Sequence, residues 1–274
     1  MTKEELQFLV FAALLTPPGV LIFGRMLARI GRQGGRVRTD KFGIPDLFMG
    51  FFLAILFTVG ALFAPSDATV VQAASVMKTE DVLSSVFSSL LILSIVIGFL
   101  WIRKISPAEL FGLQKISLFK AGVIGILLIA AIFPILLVVT YLVQAALHGQ
   151  VKEQEVVQFF REAAGANEQA SVAALFFMAV VVAPIVEEVI FRGYLYAVFK
   201  SWAGPVASLI FTAALFSAVH NNVAVLPSLL ILAVGLTIAY EWSGTILVPI
   251  AMHASFNAIQ LIMLLGALRQ HSAL

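Results

Sequence analysis

No cysteine occurs among the 274 residues of this chain. Disulfides, thiolate nucleophiles and cysteine-ligated metals are thereby excluded. Charge is scarce as well: 12% of the residues are Asp, Glu, Lys or Arg, against roughly 25% in a soluble globular domain. The formal net charge is only +2, and no basic patch is interleaved with aromatics, so nucleic acid is not an expected partner. The apolar runs are continuous rather than alternating, which argues against the strands of a membrane barrel, and an open sheet edge cannot face lipid. HExxH spacing is missing, so a conventional zinc-protease helix is ruled out. No internal repeat stands out, and an inverted-repeat transporter gains no support.

What is present is apolar sequence in long pieces. Hydrophobic residues make up 61% of the chain and the mean hydropathy is +1.04. Runs of about 20 apolar residues are long enough as helices to cross a hydrocarbon core of ~30 Å. Eight such spans are expected, over 6–28, 44–65, 82–102, 119–147, 171–199, 204–222, 225–241 and 245–268. The fold class is therefore an all-α polytopic membrane bundle of about eight helices. The opening MTKEELQFLVFAALLTPPGVLIFGRML is expected to be a retained first helix. Glu4 and Glu5 spoil the positive start of a signal peptide, and the apolar run is too long for one.

Orientation follows from the basic loops. Arg29, Arg32, Arg36, Arg38 and Lys41 separate the first two spans, and Arg103, Lys104, Lys115 and Lys120 follow the third. The positive-inside rule makes both loops cytoplasmic. The loops at 66–81 and 148–170 lean acidic and suit the other side, and eight crossings then put both termini outside. Within 148–170, Val156, Val157, Phe159 and Phe160 alternate with Glu153, Glu155 and Arg161 as in a short amphipathic interfacial helix. Pro17-Pro18 and Pro134 are expected to mark kinks.

Ionisable residues inside membrane helices cost roughly +2.5 to +3.5 kcal/mol each near the bilayer centre and are functional candidates by default. Here they form three islands. The fifth span carries Glu187, Glu188 and Arg192, the sixth His220 and the eighth His253; His148 and His271 lie in a loop and the tail. Glu188 and Arg192 are i,i+4 neighbours and can neutralise each other. Glu187 points about 100° away. Its helical neighbours Ala183, Ile190 and Phe191 cannot pair with a carboxylate, so its partner must come from another helix. The two buried histidines are the candidates. Phe216 shares the face of His220, and Asn257 shares the face of His253, both at i,i+4.

A carboxylate beside an imidazole can position and deprotonate water. A second imidazole and an amide can donate to the oxyanion of a tetrahedral intermediate. That set suffices for peptide hydrolysis without a covalent nucleophile or an obligatory cofactor. An alternative is zinc held by Glu187, His220 and His253, with Asn257 behind them. A reading of another class is a non-enzymatic transporter or regulatory or immunity scaffold, in which the same groups relay protons or bind a partner. Taken singly, a buried Glu–Arg pair or a lone membrane histidine is more often structural. Structural packing alone must here explain one unpaired Glu and two His on three spans.

Glu187-Glu188-x-x-x-Arg192, Phe216-x-x-x-His220 and His253-x-x-x-Asn257, in that order on separate spans, resemble the three motifs of the CAAX protease and bacteriocin-processing (CPBP) family of intramembrane endopeptidases. The flanking text APIVEEVIFRGYLY and GTILVPIAMHASFNA fits as well. The resemblance covers about residues 170–265 and divides the chain into supporting helices over 1–150 and a catalytic part over 151–274. It implies an eight-helix bundle with a cavity opening toward the cytosol, and the compact chain with its positive-inside loops suggests a plasma membrane. It also implies that Glu187 and His220 activate water, that His253 and Asn257 form the oxyanion hole, and that Glu188 and Arg192 support them. The implied partners are the bilayer and a protein or peptide substrate at the membrane, prenylated or carrying a leader.

Overall fold

In apolar surroundings a backbone must satisfy its own hydrogen bonds, and this chain does so with helices throughout. The computed structural model describes residues 3–63, 79–147, 155–166 and 168–272. In chain order the helices are α1 (Lys3–Leu14), α2 (Thr16–Gln33), α3 (Ile44–Phe63), α4 (Thr79–Ile102), the single turn α5 (Pro107–Leu110) and α6 (Leu118–Ala146). They continue with α7 (Glu155–Gly165), α8 (Gln169–Phe177), α9 (Ala183–Glu188), α10 (Ala197–Ala218), α11 (Leu226–Ser243) and α12 (Leu247–Ser272). Two π-helical stretches, Met178–Val182 and Val189–Tyr196, join α8, α9 and α10 without a gap. No strand occurs among the described residues.

Among the described residues six helices are long and apolar enough to cross a membrane, and the chain is an all-α, multi-pass membrane protein. The difference from the expected eight lies in two places. The stretch Gln169–Ala218 counts once, although Gly204 (φ 78°, ψ 171°) ahead of Pro205 breaks it into two rods. Val86–Ile102 is a shorter apolar helix. Pro17 and Pro18 sit in the first turn of α2, where a missing N–H costs nothing, whereas α6 runs on through Pro134. Much of both acidic loops, with His148, lies outside the described residues, as does the side chain of His271. The amphipathic helix is α7. Phe160 and Ala163 are buried against Leu175, Ala179 and Leu261, so α7 packs onto α8 and α12.

Both basic loops fold against one end of the bundle. Glu241, near the end of α11, accepts from Tyr196 Oη (2.6 Å), Lys200 Nζ (2.5 Å) and the Val37 N–H (3.2 Å). Its carbonyl takes the Arg36 N–H at 3.0 Å. Asp46, fully buried, accepts from the Gly43 N–H (2.8 Å) and Arg103 Nη2 (3.0 Å). Deeper in, the Ile246 N–H donates to the Phe111 carbonyl at 2.9 Å. Gly112 stands at φ 65°, and a Cβ there would collide with the Gly244 carbonyl, so only glycine permits this approach. Burial, with Arg36 and Arg38 nearby, pushes the Lys115 ammonium below its ordinary pKa.

Candidate active site

The helix that carries the two glutamates is irregular, and proline explains how. Pro184 has no N–H, and its ring crowds the carbonyl four residues back. The turn before it widens into an i→i+5 register, in which the Ala183 N–H reaches the Met178 carbonyl. The next donor in that register is residue 184, aimed at the Ala179 carbonyl, and proline supplies none. Asn257 takes the vacant acceptor: its Nδ2 donates to the Ala179 carbonyl at 2.7 Å. An amide nitrogen has two N–H groups, so this bond anchors Asn257 while a second donor stays available.

Glu188 is fully buried and Arg192 nearly so, and Arg192 Nη1 donates to Glu188 Oε1 at 2.8 Å, as the i,i+4 spacing predicts. The same oxygen stands 2.8 Å from His253 Nδ1. Glu188 therefore holds a cation from its own helix and a ring from α12 at once. A carboxylate oxygen accepts, so Nδ1 of His253 carries its proton and Nε2 faces the other way. There it stands 3.8 Å from Glu187 Oε2.

That separation exceeds a direct hydrogen bond and suits a third oxygen touching both groups. Glu187 Oε2 and Glu188 Oε2 are buried without a hydrogen-bond partner among the described residues. An unmade bond of this kind costs about 1–3 kcal/mol. With His253 protonated on both nitrogens, Glu187, Glu188, Arg192 and His253 together carry no net charge. In that form Nε2 is also a donor.

Phe216 joins the islands. It is fully buried, with the Arg192 guanidinium 4.3 Å above its ring. The rings of His220 (4.9 Å), Phe191 (5.2 Å) and His253 (5.8 Å) surround it. Such a contact stabilises a desolvated guanidinium by ~2 kcal/mol. His220, in the turn after α10, is half-buried, with Nδ1 2.7 Å from the Phe216 carbonyl. A carbonyl only accepts, so Nδ1–H is the donor and Nε2 of the neutral ring keeps its lone pair.

The structure thus brings Glu187, Glu188, Arg192, Phe216 and His253 into one cluster with His220 against its edge. Asn257 lies one turn further along α12. Glu187 has its approach from His253; among the described residues no ion pair joins it to His220. No group of three His, Asp or Glu side chains among the described residues is placed to hold a metal ion. Glu187, His220 and His253 therefore do not form a zinc ligand set in this geometry. Sequence reasoning missed three details of the candidate site: the double grip of Glu188, the Ala179 carbonyl as the anchor of Asn257, and Phe216 as a hub. Pro184, five residues after Ala179, was the available signal for the second.

Residues 169–259, which include every side chain of this cluster, match the family model described as Type II CAAX prenyl endopeptidase Rce1-like. No curated protein and no solved structure matches the chain. That stretch and its three motifs are similar to the CAAX protease (CPBP) family of intramembrane endopeptidases.

Proposed function

We propose that this protein hydrolyses a peptide bond within the membrane by carboxylate-activated water. Glu187 accepts a proton from a water whose oxygen adds to the scissile carbonyl. His220, with Nε2 unprotonated, assists that transfer. The carbonyl oxygen becomes an oxyanion that receives hydrogen bonds from Nε2 of protonated His253 and from the free N–H of Asn257. Collapse expels the amine, which takes the proton back from Glu187, so one water is consumed and the side chains return to their starting state. Glu188 and Arg192 do not touch the reacting atoms in this scheme. Glu188 fixes the ring of His253, and Arg192 neutralises Glu188.

The observation that carries the reading is the free oxygen of Glu187 opposite Nε2 of a histidine whose other nitrogen is clamped. Residues 151–274 act as the catalytic part and 1–150 as its support, a division favoured by the family match over 169–259. The substrate is a membrane-associated protein, prenylated or leader-type, and the compact chain with its positive-inside loops favours a plasma membrane. The test is hydrolysis by protein purified in detergent, where no gradient exists. Turnover there supports the reading, whereas activity seen only with an ion gradient across closed vesicles belongs to a proton-coupled transporter.

A further inference from the structure

Two helices outside the Glu187 cluster touch at one point and leave a groove beyond it. A Cβ at Gly19 of α2 would overlap the Ala131 carbonyl of α6, so the two backbones meet there. One turn further toward the basic loops, a groove of about 420 Å³ opens between them, an ordinary size for a small-molecule site. Its walls are Ile22 and Met26 of α2 and Ile124, Leu127 and Leu128 of α6. Ile22 is three residues past Gly19 and Leu128 three before Ala131, so the groove starts where the contact ends. Residues 22, 25, 26 and 29 share one helix face, which sets Arg25 and Arg29 along the same wall. Trp242, near the end of α11, completes the lining.

The polar side chains of this groove are all donors. Arg25 lies eight residues before the end of the span Leu9–Gln33, about 12 Å of helix inside it. A cation at that depth is a functional candidate whose partner has to be found. Among the described residues no carboxylate pairs with Arg25 or Arg29. Arg29 Nε donates to Gln33 Oε1 at 2.9 Å, which leaves its two terminal nitrogens free. Glu241, the residue before Trp242, is committed to Tyr196, Lys200 and Val37. Trp242 is partly buried, and its indole N–H can only donate. Two guanidinium groups and an indole thus border an apolar trough that carries no negative charge.

A ligand for such a surface needs an anion at one end and hydrocarbon at the other. Guanidinium groups take phosphate through paired N–H bonds, and long cationic side chains reach from within a span to the headgroup level. Tryptophan favours the same level. Basic pockets between membrane helices hold anionic headgroups in this way, and the bilayer supplies both halves of the ligand in one molecule. We infer that the groove between α2 and α6 binds an anionic glycerophospholipid. Its phosphate sits between Arg25 and Arg29, and one acyl chain lies along Ile22, Met26, Leu127 and Leu128. Two cations facing one phosphate select a headgroup of net negative charge, because the ammonium of a zwitterionic lipid would meet like charge. None of these residues belongs to the Glu187 cluster, so binding is measured without turnover.

The test is native mass spectrometry of the full chain in non-ionic detergent, offered equal amounts of phosphatidylglycerol and phosphatidylethanolamine. Phosphatidylglycerol should be retained in preference, and Arg25→Gln with Arg29→Gln should weaken its retention by about 30-fold. Lys41→Gln with Lys104→Gln removes two exposed charges from the adjoining loops and should keep the wild-type retention. Equal losses in both double variants would trace binding to the general charge of this end and overturn the inference. Equal retention of the two lipids by the unmutated protein would overturn it as well, and that comparison needs no variant to fold. Inorganic phosphate should not displace the lipid; displacement would mark an anion site with no use for the acyl chain and contradict the assignment. A dimer that dissociates in Arg25→Gln with Arg29→Gln, with lipid retention unchanged, would give the face to a second copy of the chain instead.

Discussion

Replacing Pro184 by alanine tests the link between an irregular helix and the catalytic geometry. Alanine restores an N–H at the point in the register that faces the Ala179 carbonyl, and it removes the ring that crowds residue 180. The carbonyl then has a donor from its own helix, and Asn257 loses its 2.7 Å anchor. A side-chain hydrogen bond of this kind contributes about 0.5–1.5 kcal/mol. Applied to the oxyanion, that loss lowers kcat by about 2- to 13-fold. KM should hardly move, because in the proposed scheme Asn257 acts on the transition state. Thermal stability should hold or rise, since the helix gains a backbone bond. The assay is single-turnover cleavage per mole of folded protein for the wild type, Pro184→Ala, Asn257→Ala and the double variant. Non-additive losses in the double variant are expected. Full activity in Pro184→Ala, or losses that simply multiply, would refute the reasoning.

Two further perturbations separate support from chemistry. Glu188→Gln leaves Arg192 buried without its anion, and breaking such a pair costs about 3–5 kcal/mol. The melting temperature in detergent should fall steeply, and adding Arg192→Met should recover part of it; no recovery would mean that the charge pair is not the cause. Glu241→Gln weakens the bonds from Tyr196, Lys200 and Val37 and should destabilise by about 1–3 kcal/mol. Because Glu241 lies eight residues along α11, about 12 Å of helix, from the Ala233 carbonyl that meets Arg192, kcat per folded molecule should not change, and a selective loss of kcat would contradict that separation.

The membrane class was legible because apolar runs of that length have few other uses, and the Glu188–Arg192 pair because i,i+4 spacing places both on one face. The partner of Glu187 was narrowed to two histidines, and the structure brings His253 to it. Other features depend on register and depth, which periodicity does not encode. Pro184 reads as ordinary membrane-helix sequence until the i→i+5 turn shows which carbonyl it leaves free. Glu241 and Lys200 sit near span ends, where charges normally meet water, and nothing local shows that the loop at 36–37 folds over them. The double grip of Glu188 is a contact between residues 65 apart in sequence.

The central claim is that Glu187 takes the proton from the attacking water. Gln at this position keeps the shape and removes the base. Comparing N-terminal peptides from cells with active protein and with Glu187→Gln identifies a substrate, which is then offered to both purified proteins. General-base catalysis accounts for about 100- to 10,000-fold in rate, so Glu187→Gln should cleave at least about 100-fold more slowly while melting near the wild-type temperature. Cleavage by a folded Glu187→Gln at the original rate would contradict the account.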